Sequence, residues 1–175
     1  MEWIWSLFEK KTSLTDFKAA GCIFTDGNYV LAGYQPKADY NISGFGGKRR
    51  NNETYIQTAI RETIEELFDV DPPIYIVDYI EINLKPVYIY LNNSYIIVHY
   101  NFKDLVKILE YCQCFANKTP LYDVFPETLS DLIFNRCNYN FSEVQQLCLL
   151  PFKSDIKIHD GFKMDIALIK KINAV

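Results

Sequence analysis

Histidine is scarce in this chain: there are two, His99 and His159, far apart, and neither has a serine or cysteine nucleophile beside it. There is no Gly-x-Ser-x-Gly elbow either, which argues against acyl transfer by a nucleophilic triad. The five cysteines (Cys22, Cys112, Cys114, Cys137 and Cys148) are an odd set without paired CxxC spacing. That argues against a zinc site and a disulfide framework, and for a reducing, cytoplasmic compartment. Cys112-Gln-Cys114 reads as two buried thiols. Long apolar runs are also missing: stretches such as residues 95–98 fall far short of the roughly 20 residues that span a bilayer, so no membrane partner is expected. Residues 1–11 carry acid at Glu2 and only a short apolar patch, a poor signal peptide, and Trp3, Trp5 and Phe8 are expected to pack on the domain. Finally, there is no excess of positive charge. A net charge of −4 and a pI near 5.2 make long nucleic acids a less natural partner than small phosphorylated molecules.

What the chain does have is acid in one place. Four of its ten glutamates, Glu53, Glu62, Glu65 and Glu66, lie within fourteen residues. Thr54 and Gln57 have the form of a capping box, so a helix is expected to begin near Tyr55. Winding it at about 100° per residue puts Ile56, Ala59, Ile60, Thr63, Ile64 and Leu67 on one side and Arg61, Glu62, Glu65 and Glu66 on the other. Glu62, Glu65 and Glu66 then stand at i, i+3 and i+4, where like charges repel and work against the helix unless a counter-charge is present. Oxygen donors of this kind suit a hard divalent cation, magnesium in particular.

The segment resembles the signature of the Nudix hydrolases, Gly-x5-Glu-x7-Arg-Glu-U-x-Glu-Glu-x-Gly-U, in which U is a bulky aliphatic residue. Gly47, Glu53, Arg61, Glu62, Glu65 and Glu66 fall on its fixed positions. From this chain's composition the chance of such a match is on the order of one in a million. Three positions depart: Thr63 and Asp69 stand where the family has aliphatics, and Phe68 where it has the glycine that ends the helix. Phe68 takes up the left-handed cap conformation only at a cost, Asp69 tolerates it better, and Pro72-Pro73 forbid much further helix. The helix is therefore expected to end a residue or so late.

The remaining organisation fits one α/β domain of 175 residues, long enough for a sizeable core. Residues 19–25 and 28–34 flank Asp26-Gly27 as a hairpin. Residues 43–47 supply three glycines just before the acidic segment. Residues 74–84, 87–91 and 95–102 are rich in β-branched and tyrosine residues, which predicts three strands, with Asn92-Asn93 as a turn. Residues 103–111 and 127–136 carry helical periodicity around a loop with Pro120 and Pro126. Relative to the smallest Nudix domains, residues 103–141 look like a helical insertion, followed by a late strand near residues 143–152.

The resemblance implies a Nudix-type α/β/α sandwich around a mixed sheet. It also implies divalent-metal-dependent hydrolysis of a pyrophosphate bond in a nucleoside diphosphate linked to another group. Glu62, Glu65 and Glu66, with the Gly47 carbonyl, would hold Mg²⁺ or Mn²⁺, and Arg61 would pair with Glu53 to brace loop and helix. The general base is left open among Glu65, Glu66, Glu143, Glu127 and Asp131, with the two in the signature, Glu65 and Glu66, favoured. Lys48, Arg49 and Arg50 are candidates for meeting substrate phosphates, and Tyr34 and Tyr40 for stacking on a base. A small nucleotide is the expected substrate. Capped RNA, cleaved by an mRNA-decapping member of the family, is the alternative, and a non-catalytic nucleotide-binding module a second one. Nothing in the sequence sets an oligomeric state.

Overall fold

A computed structural model describes residues 16–36 and 42–173. The expectations for Trp3, Trp5, Phe8 and Tyr40 lie outside these residues. In chain order the elements are β1 (Ala19–Thr25), β2 (Tyr29–Tyr34), β3 (Ile42–Ser43), β4 (Phe45–Lys48), α1 (Tyr55–Phe68), α2 (Ile74–Asn83), β5 (Tyr88–Asn92), β6 (Tyr95–Asn101), α3 (Phe102–Ala116), α4 (Leu129–Phe134), β7 (Gln146–Pro151) and α5 (Asp160–Asn173).

The Asp26 carboxylate accepts the backbone N–H groups of Asn28 and Tyr29 at 2.9 and 2.8 Å, and Gly27 turns the chain at φ 92°. This is the local chemistry of a tight turn. The two strands it joins pair only at Thr25 with Val30 and then part. β1 runs parallel to β6 over its whole length and antiparallel to β4, while β2 takes β3 and β7 as antiparallel neighbours. The result is a seven-stranded mixed sheet.

Alternation along β1 divides its side chains between two cores, because successive residues of a strand point to opposite faces. Ala20, Cys22 and Phe24 join Ile60, Ile64 and Leu67 of α1, Ile80 of α2 and Leu105 and Ile108 of α3. Ile23 joins Val30, Ile97 and Leu150 with Phe162, Ile166 and Ile169 of α5 on the other face. Helices on both faces of a mixed sheet make the α/β/α sandwich that was expected. Burying a side chain such as Ile64 or Ile166 is worth about 1.5–3 kcal/mol.

Two expectations are corrected. Residues 74–83 form α2, with Pro73 at its N-cap, where a strand was expected. Ile76, Val77 and Ile80 are buried, followed by Leu84, the offsets i, i+1, i+4 and i+8 of one helical stripe. Docking against α1 outweighs the β-branched composition: Gln57 donates to Asp78 at 2.9 Å and Thr54 to Glu81 at 2.7 Å. The second correction concerns Cys112 and Cys114. Both are free thiols, but only Cys112 is buried, since residues two apart lie on different sides of a helix.

Helices α3 and α4 form where residues 103–111 and 127–136 carry helical periodicity, α3 running from Phe102 to Ala116. The segment between them packs against the end of α1. Phe68 stacks on Phe125 with centroids 5.1 Å apart and lies 5.9 Å from Tyr122, while the Thr119 hydroxyl donates to the Phe68 carbonyl. The aromatic ring at position 68 is thus matched by aromatic side chains of the segment between α3 and α4. No helix among the described residues is long and apolar enough to cross a membrane.

Candidate active site

The acidic segment begins at the loop between β4 and α1. Thr54 accepts from the Gln57 backbone N–H at 3.1 Å, and the Gln57 side chain accepts from the Thr54 N–H at 2.8 Å. This capping box fixes the helix start at Tyr55. At the other end Asp69 adopts the left-handed conformation (φ 55°, ψ 39°) and its N–H reaches the Glu65 carbonyl at 2.7 Å. The left-handed residue that ends the helix is therefore Asp69, one position past Phe68, as expected.

The expected pair of Glu53 and Arg61 is present and buried. Arg61 Nε and Nη2 donate to the two Glu53 carboxylate oxygens at 2.6 and 3.0 Å, a fork-to-fork contact of the kind that only a guanidinium makes. Arg61 Nη2 also donates to the Lys48 carbonyl at 2.8 Å. Glu53 further accepts the Arg50 backbone N–H and the Thr58 hydroxyl, each at 2.9 Å. Burial pushes the Glu53 carboxyl up, but the bonds from Arg61, Arg50 and Thr58 more than offset this, and the net effect is downward. The pair thereby ties the strand, the loop and the helix together.

The three other glutamates are not equivalent. Glu62 accepts from Arg61 Nη1 at 2.8 Å and lies against Gly47, where an added Cβ would come within 2.5 Å of the Glu62 carboxyl carbon. Any side chain at position 47 would therefore displace Glu62. Glu65 accepts from Arg61 at 2.8 Å and from Arg50 at 2.5 Å, yet burial leads a net upward shift of its carboxyl. Glu66 is 6% exposed and receives the Gly46 N–H at 2.8 Å and the Gln35 amide at 3.0 Å. No lysine or arginine among the described residues pairs with it. Burial first, then repulsion from Glu143, holds its carboxyl well above the usual range, and the Gly46 N–H offsets this only in part. The side of α1 opposite the core is thus partly enclosed, with Arg61 and Glu66 both buried.

Among the described residues no three acid, histidine or cysteine side chains converge closely enough to hold a metal ion as they stand. The donor chemistry nevertheless fits a hard divalent cation. Glu62, Glu65 and Glu66 offer only oxygen, and the most buried of them has no cation of its own.

Beside Glu66 lies a cleft of about 480 Å³, whose lining includes Gln35, Gly46, Tyr95, Glu143, Phe162 and Asp165. Two of these, Gln35 and Gly46, are the groups that hold the Glu66 carboxylate. Gly46 has φ 153°, and a Cβ there would meet the Gly21 Cα at 2.5 Å, so only glycine allows β4 to present this N–H. Burial pushes the Asp165 carboxyl up to about 6.

Of the acids outside the segment, Glu143 lines the cleft, whereas Asp131 caps α4 by accepting from the Thr128 N–H and hydroxyl at 3.1 and 2.7 Å. Glu127 is not part of the cleft. Arg49 and Arg50 have protein partners. Arg49 donates to the Glu53 carbonyl at 2.9 Å and sits 4.5 Å from the centre of the Phe17 ring. Arg50 bridges Glu65 and Asp71. Lys48 is exposed in the last position of β4, and Tyr34 ends β2 half-buried. Gln35, Asp71 and Arg136, described below, were not anticipated. The one available signal was that the chain has only four arginines, three of them in the acidic segment.

No protein-family model matches the chain, and neither does any curated protein. Among solved structures it is similar to a bifunctional NMN adenylyltransferase/ADP-ribose pyrophosphatase from Francisella tularensis. One structure of that protein is complexed with AMP and a manganese ion and matches at 15% identity and a TM-score of 0.45, covering 95% of this chain and 45% of that one. A second structure gives 15%, 0.45, 94% and 44%. The chain thus spans less than half the length of the protein it matches, and a likeness of this extent carries neither fold nor activity across.

Proposed function

We propose that this protein is a Nudix hydrolase that uses Mg²⁺ or Mn²⁺ to cleave the pyrophosphate bond of a nucleoside diphosphate linked to another group, with a small nucleotide as substrate. The observation that carries this reading is Glu66: a buried carboxylate with no cation, on the same helix face as Glu62 and Glu65, beside a cleft large enough for a nucleotide. Glu62, Glu65 and Glu66 would hold the metal, together with the Gly47 carbonyl. When bound, the metal neutralises pyrophosphate oxygens that repel an incoming hydroxide and lowers the pKa of a water.

The chain's own residues do the rest. Arg61 and Glu53 brace the β4–α1 loop, and Gly47 leaves room for the Glu62 carboxylate. Lys48 is the loop cation free to turn to a phosphate, while Arg49 and Arg50 would first give up the contacts they hold. The proton from the attacking water would go to Glu65, Glu66 or Glu143; of these, Glu143 lines the cleft and Glu66 is held by two of its lining residues, Gln35 and Gly46.

The test is turnover by the wild type and Glu65→Gln with each metal, against free nucleotides, dinucleotides, nucleotide sugars and capped RNA. Metal-dependent release of a nucleotide from a free nucleotide substrate by the wild type alone supports the reading. Release of methylated guanosine diphosphate from capped RNA alone would replace it with decapping. Nucleotide binding without turnover would replace it with a binding module.

A further inference from the structure

Arg136, just beyond α4, donates five hydrogen bonds, and none goes to a carboxylate. Nη1 reaches the Leu67 carbonyl at 2.6 Å and the Tyr122 hydroxyl at 3.0 Å. Nη2 reaches the carbonyls of Glu66 at 3.0 Å and Val144 at 2.6 Å. Nε reaches the Gln145 carbonyl at 3.3 Å. The four carbonyls belong to two segments: the last turn of α1, which carries Glu66, and the two residues that follow Glu143.

The last four carbonyls of a helix have no partner within it and form the negative end of its dipole. α1 has no basic residue in its own last turn, so the insertion delivers the missing cation from outside. Only a planar guanidinium has donors enough, and suitably spread, to serve both segments at once; a lysine has three donors on one atom. Glu143 and the two holders of Glu66, Gln35 and Gly46, line the same cleft. The carbonyls that Arg136 joins are thus the backbone supports of two carboxylates that flank one space.

We propose that Arg136 is a positioning residue that clamps the end of α1 to the segment carrying Glu143 and so sets where the Glu66 and Glu143 carboxylates stand. Residues 103–141 then serve as part of the site's frame. The proposal rests on the reading of the site as a metal-dependent hydrolase.

The test compares Arg136→Lys with Tyr122→Phe on the best substrate of the wild type. Tyr122→Phe removes the hydroxyl's bonds to Arg136 and to the Leu132 carbonyl but leaves the four carbonyl bonds of Arg136, so it reports a merely structural loosening of the insertion. Both variants are assayed well below their melting temperatures. Arg136→Lys is expected to lower kcat roughly 10- to 100-fold, as a displaced catalytic group does, while KM changes by no more than about threefold. Tyr122→Phe should stay within about threefold of the wild type in both constants. In a Glu143→Gln background Arg136→Lys should cost less than it does alone, because the two changes act on one arrangement. Equal kcat for Arg136→Lys and Tyr122→Phe, or multiplicative effects with Glu143→Gln, would overturn the proposal while the functional reading stands. A wild type without metal-dependent turnover across the panel would instead overturn the functional reading, and the clamp's role with it.

Discussion

Glu53, just ahead of α1, and Glu66, in its last turn, are 8% and 6% exposed, but they differ in their partners. At the N-terminal end burial is answered from within: Arg61 meets both Glu53 oxygens, Thr58 and the Arg50 N–H add to it, and the carboxyl titrates below its usual range. At the C-terminal end burial comes first, the charges that act on the Glu66 carboxyl are other carboxylates, Glu143, Glu62 and Glu65, and it is pushed the other way. The same side chain therefore serves two purposes on one helix. Where the fold supplies the cation, glutamate is part of the scaffold; where it withholds one, glutamate is left with an affinity for a proton or a metal.

One conservative change at each end should separate these purposes. Glu66→Gln keeps the shape and the Gly46 bond but removes a charge that the protein does not neutralise. We expect metal-dependent turnover to fall by roughly three orders of magnitude, the several kcal/mol of charge stabilisation that a metal supplies. The melting temperature should be unchanged or raised. Wild-type activity in this variant would sink the assignment of Glu66 as a ligand. Glu53→Gln should do the reverse at the other end: Arg61 keeps Glu62 and Glu65 but loses its charged fork-to-fork partner, costing about 1.5–3 kcal/mol in a urea titration. A loss under about 1 kcal/mol would show the pair to be no more than a surface bridge.

Acid should sharpen the contrast, and the signs are opposite. Glu53 titrates below its unfolded value, so it contributes stability above about pH 4.5 that is lost as pH falls through its folded pKa. Glu66 titrates well above its unfolded value, so between about pH 4.5 and its folded pKa the native state holds a proton that the unfolded chain has lost. In that window the metal-free protein should gain stability as pH falls. Glu66→Gln should flatten this slope and leave the Glu53 limb intact, measured as urea midpoints across pH in the presence of a chelator. An unchanged slope in Glu66→Gln would assign the proton to Glu65 or Asp165, whose carboxyls are also raised.

The scaffold end was the more legible of the two. The capping box, the helix start and the stop near Asp69 depend on residues close in the chain, and local spacing encodes them, while the pairing of Glu53 with Arg61 was implied by the resemblance to the Nudix signature. The sandwich was implied by the same resemblance, and the Asp26-Gly27 turn marked where its first two strands meet. What escaped depends on distant partners. Nothing local shows that Gln35 and Gly46 enclose Glu66, or that Arg136 reaches back to the carbonyls of residues 66 and 67. Residues 74–83 were misread because isoleucine, valine and tyrosine favour strands when context is ignored, and here α1 provides a helix-shaped surface for them to cover.

The smallest expected effects lie at the helix caps and again oppose each other. Thr54 is a working N-cap, so Thr54→Ala should cost about 1 kcal/mol, measured as a drop in the urea midpoint at constant slope. Asp69 does at the C-terminus what glycine does more cheaply, since its φ of 55° crowds a Cβ against the backbone. It also places a negative charge at the negative end of the helix dipole. Asp69→Gly should therefore raise stability. The flexibility it adds to the unfolded chain takes back part of the gain, which leaves a net of roughly 0.5 kcal/mol. Asp69→Ala should lower it, because alanine keeps the Cβ and lacks the short polar group that makes the left-handed conformation tolerable. If Asp69→Ala were as stable as Asp69→Gly, the cap would not be held in the left-handed region, and the end of α1 would be set by the contacts of Tyr122, Phe125 and Arg136 with it alone.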